Sequence, residues 1–280
     1  MWSLLGTAAR NWSRHRSARL GAALAYYSVF SLGPLLLIVS AIAGFLFGAD
    51  AVRQSLTAQF RALLGPTGGQ AVEAMLKGAE SSAAGGRAAI LGIVLLLVAA
   101  LGVVVQLKDA LNTIFEAKQP DDAGIAWYVR VYATSLAGIL ALGFLLAVSL
   151  VISTGLAAFS TWTRGSPGEG IVLEGINFVA SLGVLTLVFG LLFKWFPDTS
   201  TDWRAVWRGA LVTALLFNIG KSAISWYIGT QGLESTYGAA SSIVVLLIWV
   251  YYSAQIVLFG AELTHAYATQ RGLGSQATRR

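Results

Sequence analysis

Long apolar runs separated by short polar segments dominate this chain. The first runs from Leu20 to Gly48 without a charged residue, which exceeds the about 20 residues that a helix needs to cross a hydrocarbon layer. A spanning segment must satisfy its own backbone hydrogen bonds, so each run is expected to be a helix. The pattern predicts an all-α integral membrane protein, a single membrane domain over residues 1–280 with six transmembrane helices. Their predicted positions are residues 22–48, 88–106, 131–159, 171–195, 209–228 and 241–266.

The connection after the first run has a helical pattern of its own. Apolar residues recur at helical spacing from Val52 to Leu63, and the turn-forming residues 65–69, Gly-Pro-Thr-Gly-Gly, follow them. A second short helix is predicted from Gln70 to about Ser82. The first outer loop is therefore predicted to be a helical hairpin.

The second run is predicted to continue as an amphipathic helix on the cytoplasmic side. Leu107, Leu111 and Ile114 would share its apolar face, and Pro120 would stop it. The polar residues of this stretch are expected on the opposite face: Lys108, Asn112 and Glu116.

Composition strengthens the membrane prediction. Hydrophobic residues make up 56% of the chain and charged residues 11%, against about 25% charged in an ordinary soluble domain. The sequence Ala41-Ile42-Ala43 resembles a signal cleavage site, but the apolar run is longer than the roughly 7–15 residues of a signal-peptide core. It is therefore predicted to remain as the first span. The chain has no cysteine, which excludes disulfides and thiolate chemistry.

Basic residues indicate the orientation, because Lys and Arg near the ends of spans are retained in the cytoplasm. With the N-terminus inside, the predicted cytoplasmic segments hold 13 of the 19 Lys and Arg residues, the outer segments hold five, and Lys221 lies within a span. Both the N-terminus and the C-terminus are therefore predicted to be cytoplasmic.

Two ionisable residues lie inside predicted spans, Lys221 and Glu262. An ionisable side chain in hydrocarbon costs about 2.5 kcal/mol or more, so it usually faces the interior of the bundle and has a partner. Helical rise places Lys221 roughly 18 Å from the cytoplasmic end of its span, and Glu262 within about two turns of that side. A direct pair between them is therefore not expected.

The depths of these two residues predict a polar cleft between the first, fifth and last spans. Pro34 cannot donate to the carbonyl oxygen of Phe30, which leaves that oxygen free to bind Lys221. Gln255 and Glu262 share a face of the last helix at seven-residue spacing, and this face is predicted to lie at the depth of Tyr26 and Tyr27. The candidate substrate-binding residues are Tyr26, Tyr27, Ser31, Pro34, Asn218, Lys221, Gln255 and Glu262.

Each of these residues also has a simpler interpretation. The serines are small enough to let helices approach and to bond to their own carbonyls, and the tyrosines can anchor the chain at the membrane interface. Lys221 can extend towards the membrane surface. Glu262 can balance the charges of Arg19, Arg204 or Arg208. Sequence alone leaves these alternatives open.

Several stretches of the sequence resemble the bacterial YihY/BrkB family. They are residues 22–34 (AALAYYSVFSLGP), 107–115 (LKDALNTIF), and 237–242 (YGAASS) followed by 260–263 (GAEL). Their order and spacing match over nearly the whole chain. The resemblance implies a six-span protein of the bacterial inner membrane. Members of the family have carried the name ribonuclease BN, and others have been linked to serum resistance or to lipid transport.

A ribonuclease needs either clustered metal ligands or a positioned acid and base. The sequence has two histidines, His15 and His265, which lie alone in the two terminal segments. Asp121 and Asp122 follow a proline and are expected to form a solvated turn. Basic residues are spread over loop ends rather than gathered in a groove. No nucleic acid, metal or cofactor is therefore expected, and the protein is predicted not to be an enzyme.

The residues and the resemblance together predict a transporter or flippase of the bacterial cytoplasmic membrane. Its substrate is expected to be amphipathic and lipid-related, with membrane lipids as partners. The chain has no G-x-x-x-x-G-K-[ST] loop, so transport would be passive or ion-coupled. The competing prediction is a non-catalytic scaffold, whose polar residues hold together the bundle or a homo-oligomer. A ribonuclease is the least supported alternative.

Overall fold

The computed structural model describes residues 2–82, 102–117, 169–230 and 241–272. Every regular element within these ranges is a helix. The helices are α1 (Trp2–Arg14), α2 (Ser17–Phe47), α3 (Ala49–Ser82), α4 (residues 102–114), α5 (Glu169–Trp195), α6 (Trp203–Thr230) and α7 (Ser241–Gln270). The all-α prediction is therefore confirmed for the described residues.

Three of these helices are long and apolar enough to cross a membrane. The qualifying stretches are Phe178–Trp195 in α5, Trp203–Ile228 in α6 and Ile243–Gln270 in α7. They coincide with the last three predicted spans, although α6 begins at Trp203 rather than at residue 209. The first predicted span lies within α2 except for its last residue. The third predicted span and most of the second lie outside the described residues, so the count of six and the orientation stay predictions.

An additional helix, α1, precedes the first predicted span. Ala8 is buried, and Trp12 meets Phe259 of α7 edge to face with ring centroids 5.9 Å apart. Gln270, at the end of α7, donates to the hydroxyl of Thr7. The basic residues of this segment indicate orientation, whereas its apolar residues pack it along the final turns of α7.

Four small residues interlock where α6 packs on α7. A Cβ atom on Gly209 of α6 would lie 1.8 Å from Thr264 Oγ1, and one on Gly260 of α7 would lie 1.8 Å from Thr213 Oγ1. Each threonine hydroxyl donates to a carbonyl of its own helix, Thr213 to Gly209 and Thr264 to Gly260. The hydroxyls are therefore satisfied, and the two backbones approach as closely as small residues allow.

α3 folds back on itself, as the predicted hairpin requires. A Cβ atom on Gly69 would lie 3.4 Å from the carbonyl oxygen of Thr57, whereas a straight helix would separate these two positions by about 18 Å. Leu56 of the first limb belongs to the same apolar cluster as Val72 of the second limb, against Leu36 of α2. The two limbs of α3 therefore lie side by side.

Charges on the two limbs also interact. Lys77 lies 2.8 Å from the carboxylate of Glu73. Lys77 first, and then Arg53 and Arg61 of the opposite limb, hold the pKa of Glu73 below its usual range. Influence from Arg53 requires the folded-back arrangement, since a straight helix would place it about 30 Å from Glu73.

The turn of the hairpin differs from the predicted one. Residues 65–69 keep helical backbone geometry, with Pro66 inside the element. A residue before proline usually leaves the helical region because its Cβ meets the proline ring, and Gly65 has no Cβ. The hairpin packs on α2, α6 and α7, with Phe60 near Leu32 and Val245. It is therefore part of the bundle rather than a surface loop standing apart.

α4 differs from the predicted amphipathic helix on its polar side. Leu111 and Ile114 are buried as predicted, but Lys108 and Asn112 are also buried, at 9% and 6% exposure. Both bind Asp198, which follows α5. Lys108 Nζ lies 3.0 Å from Asp198 Oδ1, Asn112 Nδ2 donates to Oδ2 at 2.9 Å, and Asn112 Oδ1 accepts from the Asp198 N–H at 2.8 Å. The sequence predicts that Lys108 and Asn112 lie opposite the apolar face but does not predict their burial, because a loop distant in sequence supplies the matching carboxylate.

α4 also ends before the predicted proline stop. Glu116 adopts a left-handed conformation, with φ 51°. The N–H of Ala117 donates to the carbonyl oxygen of Asn112 at 2.9 Å, the bond that closes a Schellman helix end. Pro120 lies outside the described residues. This ending places Glu116 beside the last turn of α1.

The main apolar core lies at the end of the bundle where α1, α4 and the last turns of α7 meet. It draws on α2, α4, α5, α6 and α7. Its buried members include Leu24, Leu111, Ile114, Phe193, Val206 and Leu258. These contacts hold the helix ends that carry the polar side chains described next.

Candidate functional site

Glu262 on α7 is a fully buried carboxyl group. Its Oε1 accepts from Ser17 Oγ at 2.8 Å and lies 3.0 Å from His15 Nδ1. Its Oε2 is buried without a hydrogen-bond partner among the described residues. The arginines considered as alternative partners do not bind Glu262 in the described structure: Arg19, Arg204 and Arg208.

The junction between α1 and α2 delivers both partners of Glu262. Arg16 adopts a left-handed conformation, with φ 53° and ψ 40°. This residue separates the two helices, so that His15 follows the end of α1 and Ser17 begins α2. The two side chains meet the same carboxyl oxygen from consecutive helices.

A second carboxylate contacts the far side of the His15 ring. His15 Nε2 lies 3.5 Å from Glu116 Oε1 and 3.3 Å from Arg14 Nη2, and Arg14 forms an ion pair with Glu116. The side chain of His15 is 8% exposed, whereas that of Glu116 is 52% exposed. His15 therefore stands between a buried carboxyl group and one that reaches the surface.

Backbone strain is concentrated around His15. Arg16 and Glu116 are the non-glycine residues with positive φ in the described part of the chain. A left-handed conformation costs a residue with a Cβ about 1–3 kcal/mol, and such strain clusters at functional sites. One strained residue follows His15 in sequence, and the other contacts its ring. The geometry supports a functional interpretation of this cluster.

The two histidines are neighbours, which corrects the prediction that they lie alone. The rings of His15 and His265 are 6.5 Å apart between centroids, and His265 also meets Phe115 edge to face at 5.9 Å. Within the described ranges, no group of three or more His, Cys, Asp or Glu side chains is arranged to hold a metal ion.

Gln255 lies on the same side of α7 as Glu262 and also faces the start of α2. Its Nε2 donates to the carbonyl oxygen of Ala18 at 3.3 Å. A Cβ atom on Gly21 would lie 2.2 Å from that nitrogen, so the glycine creates the space for the amide. The structure thus brings Gln255 and Glu262 to the first turns of α2, before the first predicted span begins at residue 22 and not at the predicted level of Tyr26 and Tyr27.

The remaining candidates on α2 are spread along that helix. Tyr26 and Tyr27 are exposed, and Tyr26 contacts the exposed Phe30 with ring centroids 5.0 Å apart. Ser31 is buried and donates to the carbonyl oxygen of Ser28 at 3.1 Å, the bond expected of a serine that serves its own helix. Pro34, the last of these candidates, lies within the helical backbone of α2.

The candidates on α6 do not join this group. Asn218 is buried and donates to the carbonyl oxygen of Ala214 on its own helix. Lys221 is half-buried and has no ion pair among the described residues. α6 packs on α5 and α7 and has little direct contact with α2. The predicted approach of Lys221 to Phe30 and Pro34 is therefore not the observed arrangement, because both helices pack on α7 rather than on each other.

The residues around Glu262 were only partly visible to sequence reasoning. Glu262 stands out as an ionisable residue in an apolar run. His265 carries a weaker signal, since it follows Glu262 by three positions on one helix face. His15, Ser17 and Glu116 carry none, because their contacts depend on the left-handed breaks at the ends of α1 and α4.

Apolar helices of spanning length around the buried carboxyl group of Glu262 are those of a helical membrane protein. The profile of the family described as virulence factor BrkB matches residues 8–280. The chain belongs to this family, as its motifs indicated. No solved structure matches it.

Its relatives include bacterial proteins named UPF0761 membrane protein. One from Mannheimia succiniciproducens is 27% identical over 266 residues, covering 93% of this chain and 88% of the relative. One from Pseudoalteromonas atlantica is 31% identical over 248 residues, covering 86% and 78%. One from Alkalilimnicola ehrlichii is 30% identical over 263 residues, covering 93% of this chain and 57% of that longer protein. These names describe a membrane protein and assign no activity.

Proposed function

We propose that this protein transports an amphipathic, lipid-related substrate in the bacterial cytoplasmic membrane. The observation that carries the proposal is the complete burial of Glu262 in a helix apolar enough to cross a membrane. An ionisable side chain is costly there, and in membrane proteins such residues mark ion or substrate pathways. Packing alone is often served as well or better by apolar side chains of similar volume.

The distribution of polar and aromatic side chains along α2 supports an amphipathic substrate. Its first turns carry the polar contacts to Gln255 and Glu262. About 14 Å further along the helix, Tyr26 begins an exposed aromatic group with Tyr27 and Phe30. A molecule with a polar head and an apolar tail could use both parts of one helix. The lipid-related class also follows what the family resemblance implies.

Lys221 is assigned a separate contact in this proposal. It lies on α6, the neighbour of α7, beside Gly220, whose closest side chains are Ile256 and Tyr252 of α7. A cation without an ion pair in the described structure can attract an anionic headgroup. In this proposal the polar contacts of the pathway therefore occur on two sides of α7 rather than in one cleft.

Movement of labelled phospholipid in vesicles containing the purified protein tests this function. We expect Glu262→Gln to abolish movement above the protein-free rate, because the amide keeps the volume but cannot ionise. Glu73→Gln makes the same change on the exposed part of α3 and is expected to keep the parental rate. A folded Glu262→Gln variant that moves lipid like the parent would contradict the proposal.

A non-enzymatic scaffold is the second candidate. Two observations favour it: the interlock of Gly209, Thr213, Gly260 and Thr264, and the binding of Asp198 by α4. Both are features of a closely packed bundle. If the parent moves none of a panel of lipids under any ion gradient, the scaffold interpretation, alone or as a homo-oligomer, replaces transport.

A further inference from the structure

His15 links a buried carboxyl group to one that reaches solvent. Its Nδ1 lies 3.0 Å from Glu262 Oε1, and its Nε2 lies 3.5 Å from Glu116 Oε1. Glu262 is fully buried, so its own carboxyl group does not reach water, whereas half of the Glu116 side chain does. We infer that Glu262 exchanges its proton with the aqueous phase through His15 and Glu116.

The chemistry of imidazole permits this exchange without an extra reactant. A neutral ring carries hydrogen on one nitrogen and accepts at the other. Beginning with hydrogen on Glu262 and on His15 Nε2, the Glu262 O–H bond breaks and an N–H bond forms at Nδ1. The Nε2–H bond breaks and an O–H bond forms on Glu116. One proton has moved from Glu262 to Glu116, the total charge is unchanged, and His15 has changed tautomer.

The contacts around the ring fit the final state of this exchange. Arg14 can only donate, so in its 3.3 Å contact with His15 Nε2 the ring accepts there and donates from Nδ1 to Glu262. That is the state expected after Glu262 has lost its proton. Glu116 is held near the ring by Arg14, and the 3.5 Å gap can be closed by side-chain movement or one water.

Among the described residues, the other polar groups around Glu262 do not offer a second route. Ser17 of α2 donates to Oε1 but is fully buried. His265 of α7 meets the His15 ring edge to face and contacts no carboxylate by hydrogen bond or ion pair in the described structure. Glu116, at the end of α4, is thus the exposed group that can accept the proton. Arg14 and His15, at the end of α1, are the other groups on this route.

This inference deepens the proposed transport function by naming the proton as its coupling ion. The coupling role rests on the proposed function, whereas the proton exchange itself does not. The exchange can be measured without any transport. In the purified full chain, infrared difference spectroscopy after a pH jump would follow the protonated carboxyl band that is missing in Glu262→Gln. We expect that band to respond roughly 10²-fold more slowly in His15→Gln. Glu116→Gln is expected to slow it as well.

Matched controls separate the relay from general perturbation. His265→Gln changes the neighbouring histidine, and Glu73→Gln changes an exposed carboxylate elsewhere; both are expected to respond at the parental rate. If His15→Gln does not fold, Glu116→Gln decides the matter, because Glu116 is half exposed. A parental rate in either relay variant, or a Glu262 band that never responds to pH in the folded parent, would overturn the inference.

The same variants distinguish the relay from the transport proposal. Slowed proton exchange in His15→Gln together with a parent that moves no lipid would sustain the relay and reject transport. Lipid movement that is equally fast with and without a proton gradient, in both the parent and His15→Gln, would overturn the proton as coupling ion while leaving transport intact.

Discussion

Ser17 supplies the hydrogen bond that Glu262 receives from α2, and neither side chain is exposed. Ser17→Ala removes the donor and leaves Glu262 Oε1 with His15 alone. We expect the free energy of unfolding to fall by about 1–3 kcal/mol, since a buried acceptor loses a partner. Reversible unfolding in mixed detergent would measure it. Ser13→Ala makes the same change at an exposed position of α1 and should stay within about 0.5 kcal/mol of the parent.

Residue-scale prediction succeeded where one helix carried the whole signal. Gln255 and Glu262 share a face of α7 because seven residues are close to two helical turns, and both face α2. It failed where two helices had to be placed relative to each other. Depth alone assigned Lys221 to Phe30, although helical rise gives no information about which neighbour a helix faces. The contact between His15 and Glu262 was not predicted because 247 positions separate the two residues.

Single helices form their interfaces through residue size as much as through polarity. Gly260→Ala would place a methyl group 1.8 Å from Thr213 Oγ1 and 2.8 Å from its Cβ. We expect a loss of about 1–3 kcal/mol in the free energy of unfolding from overpacking. Adding Thr213→Ala should recover part of it.

A glycine-to-alanine substitution away from the α6–α7 interface provides the matched control. A Cβ atom on Gly183 of α5 would have no side chain of the described residues within 4 Å, so Gly183→Ala should be neutral or stabilising by up to about 1 kcal/mol. Equal effects at Gly260 and Gly183 would show that helix propensity, and not the α6–α7 contact, controls the result.

The attachment of α4 to the loop after α5 gives a further prediction. Asp198→Ala leaves Lys108 and Asn112 buried without their shared partner. The expected loss is about 1–3 kcal/mol in the free energy of unfolding, measured as above. Asp109→Ala, on the exposed side of α4, is the control. A loss no larger than that of the control would mean that solvent replaces Asp198.

Element-scale prediction depended on whether a helix was independent of its surroundings. The buried apolar faces of α3 and α4 were predicted correctly because burial follows the helical period. The burial of Lys108 and Asn112 on the polar side of α4 was not predicted, because Asp198 lies 86 positions from Asn112. The turn in α3 kept helical geometry because Gly65 before Pro66 removes the clash that normally ends a helix.

The predicted orientation of the whole molecule follows from the distribution of basic residues and can be tested directly. Reporters that work only in the cytoplasm should be active when fused after Arg280 or near Lys118, because the predicted inner segments hold most of the basic residues. The same reporters should be inactive near Gly68 or Gly168. A reporter after Arg280 that proves to be outside would reject the arrangement with both termini in the cytoplasm.

At the scale of the whole chain, hydropathy could predict spans but not their assembly. The three apolar helices α5, α6 and α7 coincide with predicted spans. α1 was absent from that prediction because a short amphipathic helix has no run of spanning length. Its placement on α7 required the contact of Trp12 with Phe259, which no local pattern contains.

The partners of Glu262 also determine when the protein can finish folding. Ser17 and His15 precede Glu262 by 245 and 247 positions. At about 5–20 residues per second, the ribosome needs roughly 12–50 s to make the intervening chain. His15 and Ser17 therefore complete these contacts only after the residues of α7 have been made. Until then α1 lacks the helix that its Trp12 contacts, and His15 and Ser17 lack their buried partner.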